Sequence, residues 1–262
     1  MSSAAQQTAH DGRMNLWRLE WLRLIRTPRA VALAAVFTFF GLLEPVLTRY
    51  QSQIFRNLGN GVRISFPPAT PTAGISGYVS ELGGIGLVVV IVIAAGAFSF
   101  DAHHGLATFL RTRVASIWQL VTPRFAVTAA AAATAYLLGT LVAWYETDLL
   151  IGSPPVAAML AGILCGAVYL GFAVAMTALA ASIARSTLAT VGITLVVLLL
   201  LPVAGTLRAI DNWLPTTLAN APVDLLNGTH QLSHYLPTFG VTVATSAAAL
   251  AIAVLRLRTR EI

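Results

Sequence analysis

The stretch GGIGLVVVIVIAAGAF (residues 83–98) holds no charged side chain and runs directly into SFDAHHG (residues 99–105). A carboxylate and two adjacent imidazoles at the end of an unbroken apolar run would mark a metal site or an acid–base pair in a soluble enzyme. The apolar run decides otherwise. A helix needs about 20 predominantly apolar residues to cross a hydrocarbon core, and this segment, taken from residue 79 to 100, is long enough.

The same density recurs along the chain. Six segments qualify, near 30–47, 79–100, 125–144, 156–183, 188–207 and 236–255. Of the 262 residues, 57% are hydrophobic and only 10% are charged, whereas ordinary globular chains carry roughly a quarter charged. So few charges cannot cover a water-facing surface. The expected fold is an all-α polytopic membrane protein of six transmembrane helices. Residues 1–13 read as a disordered tail, 14–29 as an amphipathic elbow helix and 30–262 as the transmembrane domain. Residues 1–29 contain no apolar core flanked by a cleavage site, so no signal peptide is expected.

An even number of spans returns both ends to one side, and the arginines say which. Arg13, Arg18, Arg23, Arg26, Arg29, Arg111, Arg113, Arg124, Arg185, Arg256, Arg258 and Arg260 fall on one side, and Arg49, Arg56, Arg63 and Arg208 on the other. The positive-inside bias makes both termini cytoplasmic. The net charge of +6 is thereby a topology signal, and no nucleic-acid partner is expected. All sixteen basic side chains are arginine. The phosphate-binding loop G-x-x-x-x-G-K-[ST] requires a lysine, so any ATP this protein uses is bound by another chain. Cys165 is the single cysteine, which excludes an intrachain disulfide.

Before the first span, LWRLEWLRLIRT (residues 16–27) has helical periodicity. Trp17, Trp21, Leu24 and Ile25 form an apolar stripe, with Glu20, Arg23 and Thr27 on the opposite arc. Such a helix lies in the headgroup plane, so membrane lipid is an expected partner. Pro28 then permits a turn into the first span. On the outer side, Leu47, Tyr50, Ile54 and Leu58 keep a helical stripe, and PPATP (residues 67–71) reads as an extended connector. The last outer loop, residues 208–235, carries Trp213 and Tyr235, both suited to interfacial anchoring.

Taken together, these landmarks resemble the permeases of type-2 ATP-binding cassette (ABC) exporters. The resemblance rests on the pre-span helix, FGLLEPVLTRYQSQIFRNLGNGVRISFPPATPTA (residues 40–73), FDAHHGLATFLRTRV (residues 100–114), NAPVDLLNG (residues 220–228) and the terminal RLRTREI. The chain departs from the pattern where Asp101 replaces a glutamate, Leu106 a threonine, and RVAS (residues 113–116) a Pro-Val-Ser-Arg turn.

The resemblance implies a transport subunit with no ATPase activity or cofactor of its own. ATP and magnesium would be held by a separate nucleotide-binding subunit. A second permease subunit, identical or different, would complete the path, with the first and fifth spans at the seam. It implies a bacterial plasma membrane and an amphiphilic or hydrophobic substrate such as a drug, lipid or peptide. The residues coupling to the ATPase would be Arg18, Trp21, Arg23, Asp101, His104, Gly105, Arg111 and Arg113.

Other polar clusters are weaker signals. Asp101, His103 and His104 do not make a convergent metal site, because adjacent imidazoles on a helix diverge by about 100°; no metal is expected there. Glu44 and Glu81, near the outer ends of the first two spans, are candidates to line the substrate path and favour cationic amphiphiles. His230 and His234 sit at i, i+4 but lack the glutamate of a metalloprotease motif. Gly162, Gly166 and Gly171 are expected to permit close helix packing. The rival classes are a secondary transporter or channel, which calls for repeats or broken spans with midplane polar groups, and an intramembrane enzyme, for which Ser76 has no histidine partner within a span. No broken span is evident in the sequence.

Overall fold

The computed structural model describes residues 16–58, 68–99, 117–205 and 213–259. The helices, in chain order, are α1 (Leu16–Arg26), α2 (Arg29–Leu58), α3 (Pro71–Gly83), α4 (Ile85–Phe98), α5 (Trp118–Leu150), α6 (Val156–Ile183), α7 (Thr187–Ala204), α8 (Thr217–Leu226) and α9 (Leu236–Thr259). A 3₁₀ turn, Leu232–Tyr235, precedes α9. No strand occurs among the described residues. Six helices are long and apolar enough to cross a membrane, with α3 and α4 together forming the second and the 3₁₀ turn extending the sixth. The chain is a helical, multi-pass membrane protein.

Three spans depart from their expected bounds, each for a local reason. The first runs on past residue 47 in one continuous helix reaching Leu58, with Pro45 inside it, so the helical stripe expected over residues 47–58 is present but unbroken from the span. Membrane helices tolerate an internal proline because neighbouring helices re-satisfy the freed backbone group. The second span begins at Pro71, eight residues before position 79. Thr70 caps it by accepting the Ala73 N–H at 3.2 Å, and Pro71 occupies the first turn, where no N–H is needed. That pair is a readable start signal hidden within PPATP. The span is also interrupted: Gly84, at φ −100° and ψ −117°, separates α3 from α4. The third span starts at Trp118, so Arg124 lies inside a helix rather than in a loop.

Helix α6 is the hub, packed by α4, α5, α7, α8 and α9. Just over half of the second and fourth spans is buried, against 17% of the fifth and 22% of the first, which puts α7 and α2 at the periphery. The most extensive helix pair is α2 on α5. They touch backbone to backbone at Gly41 and Gly139, where a Cβ on Gly139 would lie 2.5 Å from the Phe37 carbonyl oxygen. Small residues allow this approach, and in lipid such packing, not water exclusion, drives helices together. Gly162 and Gly166 act as expected, seating Pro222 of α8 and the Tyr136 ring of α5. Gly171 does not: no atom lies within 4 Å of a Cβ built there.

Several polar side chains within the bundle are absorbed locally, whereas the buried Tyr136 hydroxyl and Thr147 Oγ1 make no hydrogen bond among the described residues. Tyr78 of α3 donates to the Tyr136 carbonyl at 3.1 Å, and Thr140 donates to the same oxygen at 2.8 Å. The two tyrosine rings stack 6.1 Å apart. In the span 208–235, read above as a loop, α8 folds back onto α6 and buries Leu218, Ala221 and Pro222. Tyr235 is not an interfacial anchor: it is 2% exposed and donates to Asp224 at 2.9 Å. Trp213 is exposed.

Candidate functional site

The polar junction that ties most elements together lies at the arginine-rich end. Arg124 is in the second turn of α5, where the span must begin in a polar setting, yet it is only 5% exposed. Its Nε donates to Oε1 of Glu20 at 3.0 Å, and its Nη1 donates to the Ala97 carbonyl at 3.3 Å. Glu20, on α1, is 7% exposed. Its other oxygen lies 4.0 Å from Nη1 of Arg23, one helical turn away. One guanidinium thus joins α1, the start of the third span and the end of the second.

Each contact has a local cause. The last four carbonyls of a helix have no intrahelical partner, and Ala97 sits one residue before the end of α4. A cation there satisfies the orphan acceptor and faces the negative end of the helix dipole. Arg29 approaches the same turn from the start of α2: a Cβ on Gly96 would lie 3.3 Å from its Nη2. Glu20 offsets this local excess of positive charge. The buried pair satisfies the rule that an ion removed from water must be paired and hydrogen-bonded.

Of the polar arc of α1, Glu20 and Thr27 therefore face the protein and Arg23 does not. Helix α1 packs on α5 and α2, with Glu20 buried and Leu16, Leu24 and Thr27 partly so. Trp17, Trp21 and Ile25 are about half exposed, at 52%, 50% and 56%. The stripe read from periodicity is present, except that Leu24 turns toward the bundle. Arg18 and Arg23 are exposed beside it. Residues Asp101, His103, His104, Gly105, Arg111 and Arg113 lie outside the described residues. Ala97 and Arg124, described residues on either side of that segment in the chain, are hydrogen-bonded to each other.

A second group lies toward the opposite end. Glu44 is not at a helix end: it is 15 residues into α2, roughly 22 Å along the axis. Its carboxylate rests on Gly77 of α3, where any Cβ would collide with it. Glu81 follows one turn after Gly77 on α3. The break at Gly84 is adjacent, and Gly84 donates to the carbonyls of both Ser80 and Glu81. Sequence inspection found both carboxylates but neither their proximity nor the break.

The remaining candidates are engaged otherwise. The His230 and His234 rings stack 4.2 Å apart, nearly parallel at 9°, rather than converging on a point. Asp224 is occupied by Tyr235. Ser76 donates to the Ala73 carbonyl.

No family model matches the sequence. Over 140 residues the chain is 21% identical to YxlG, an uncharacterized transmembrane protein of Bacillus subtilis (strain 168). That stretch covers 52% of this chain and 54% of the relative, so the chain spans about half the length of the curated protein it matches. The similarity agrees with a multi-pass membrane protein.

Proposed function

We propose that the chain is the membrane-embedded permease subunit of an ABC exporter in a bacterial plasma membrane, with both termini cytoplasmic. A separate nucleotide-binding subunit holds ATP and magnesium, and a second permease subunit completes the path for an amphiphilic or hydrophobic substrate. The observation that carries this reading is the Glu20–Arg124–Ala97 junction. It makes α1, the end of α4 and the start of α5 one mechanical unit, so a push on the elbow or on residues 101–116 reaches two spans together. The shallowly packed α2 and α7 leave the first and fifth spans available for the seam between permease subunits. Arg18, Trp21 and Arg23 lie on the exposed side of the elbow, where the ATPase subunit would meet them beside Asp101, His104, Gly105, Arg111 and Arg113.

The test is transport in inverted membrane vesicles prepared with and without the co-expressed ATPase subunit. ATP-dependent accumulation of a labelled hydrophobic substrate, requiring both chains, is expected. Ion flux driven by this chain alone would exclude the reading.

A second reading is favoured by one observation, the interrupted second span beside Glu44 and Glu81. Broken membrane helices with ionisable neighbours mark the sites of secondary transporters. Accumulation driven by a proton gradient without ATP would select that alternative. Within the exporter reading the same carboxylates face the outer half of the path and attract cations. The variants E44Q and E81Q are then expected to slow export of cationic amphiphiles several-fold while leaving neutral substrates unchanged. Equal rates for both substrate classes in the two variants would remove the carboxylates from the path.

A further inference from the structure

We propose that the outward face of α1 is a docking site for anionic phospholipid in the leaflet at the arginine-rich end. The partition of charge on this helix carries the inference. Its only acid, Glu20, is turned inward and held by Arg124 at 3.0 Å. Its three basic side chains, Arg18, Arg23 and Arg26, stay on the exposed surface, Arg23 approaching Glu20 at 4.0 Å. Beside them Trp17, Trp21, Leu22 and Ile25 expose apolar area. A soluble surface would not leave these side chains open, and a purely apolar lipid contact would not need the guanidiniums.

The occupant that fits both features is an amphiphile with a phosphate above acyl chains. Its chains cover the indoles, and its phosphate accepts from guanidinium, whose planar fork matches phosphate geometry. Free phosphate would meet the arginines but leave the apolar stripe uncovered. The surroundings reinforce the sign. Arg29, Arg185, Arg256 and Arg258 stand at the same end, and Glu20 is the only acid there among the described residues. A net anionic headgroup is therefore selected over a zwitterionic one. Burial of Glu20 has a second consequence: the pairing that clamps α1 to the bundle also leaves its outer face uniformly cationic. At Trp21 and Arg23 this occupant competes with the ATPase contact of the exporter reading, and the two are separated by the shielding outcome of the test.

The test uses the full chain reconstituted in phosphatidylcholine bilayers with trace spin-labelled phosphatidylglycerol or spin-labelled phosphatidylcholine. The immobilised fraction reports relative association. Phosphatidylglycerol is expected to be favoured by about fivefold for each arginine engaged, with the preference falling as salt rises. R23Q/R26Q should lose most of that preference, and R256Q/R258Q should keep most of it. Both double variants keep Glu20 and Arg124 themselves, and R23Q gives up only the 4.0 Å approach to Glu20. Equal association of the two lipids with the wild-type chain would overturn the proposal, as would a preference that survives R23Q/R26Q. Wild-type Trp17 and Trp21 should be quenched by brominated phosphatidylglycerol. Shielding of both by an added protein subunit, with no lipid preference, would assign the face to that protein instead.

Discussion

Replacing Arg124 by leucine is expected to destabilise the bundle by about 3–5 kcal/mol, among the largest effects of any single side chain in this protein. The substitution leaves the Glu20 carboxylate buried without its cation, and it returns the Ala97 carbonyl at the end of α4 to an unsatisfied state. The weak 4.0 Å approach of Arg23 then remains beside Glu20. The measurement is the unfolding midpoint of purified protein in detergent, compared among R124L, E20L and E20L/R124L. Removing one partner costs more than removing both, because a buried pair replaced by apolar residues is often neutral. The double variant should therefore recover most of the loss. A double variant as unstable as the sum of the single ones would show that the pair is not coupled. Transport should then separate from stability, since E20L/R124L keeps the fold but loses the charged link between α1 and the two spans.

Gly139→Leu is the second large effect. A Cβ at this position would stand 2.5 Å from the Phe37 carbonyl and 2.6 Å from the Tyr78 hydroxyl. The first obstacle is backbone on the facing helix, so relief requires α2 and α5 to separate along their most extensive contact. Overpacking of this kind costs about 1–3 kcal/mol, and a backbone clash belongs at the upper end. Gly171→Ala is the control. Nothing lies within 4 Å of its Cβ, and an interior helix position gains roughly 0.5–1 kcal/mol on exchanging glycine for alanine. Opposite signs for the two variants in the same unfolding assay are the expected result. A tolerated G139L would contradict the close crossing.

The spans were legible because each is a local property. In hydrocarbon every backbone donor and acceptor must be satisfied within its own helix, so length and apolarity locate the segments. Their ends were less legible. The first span was given an end near residue 47 and its helix runs on to Leu58, while Thr70-Pro71 looked like part of a connector and is a helix start. The amphipathic helix before the first span was also readable, down to its tryptophan stripe. Its orientation was not, because periodicity assigns residues to faces without saying which face meets protein. Glu20, grouped with the polar arc, turned out to be the buried member of an ion pair.

What the sequence determined by itself is the number of apolar segments long enough to cross a membrane and the concentration of arginine between alternate pairs of them. Tertiary structure alone decided that α6 is the hub, that the second span breaks beside two carboxylates, and that Glu20 meets Arg124 across 104 residues of chain. The physical reason is the same in each case. Apolar helix faces are nearly interchangeable in lipid, so partners are chosen by small residues and a few polar side chains. Those choices depend on atoms far apart in sequence.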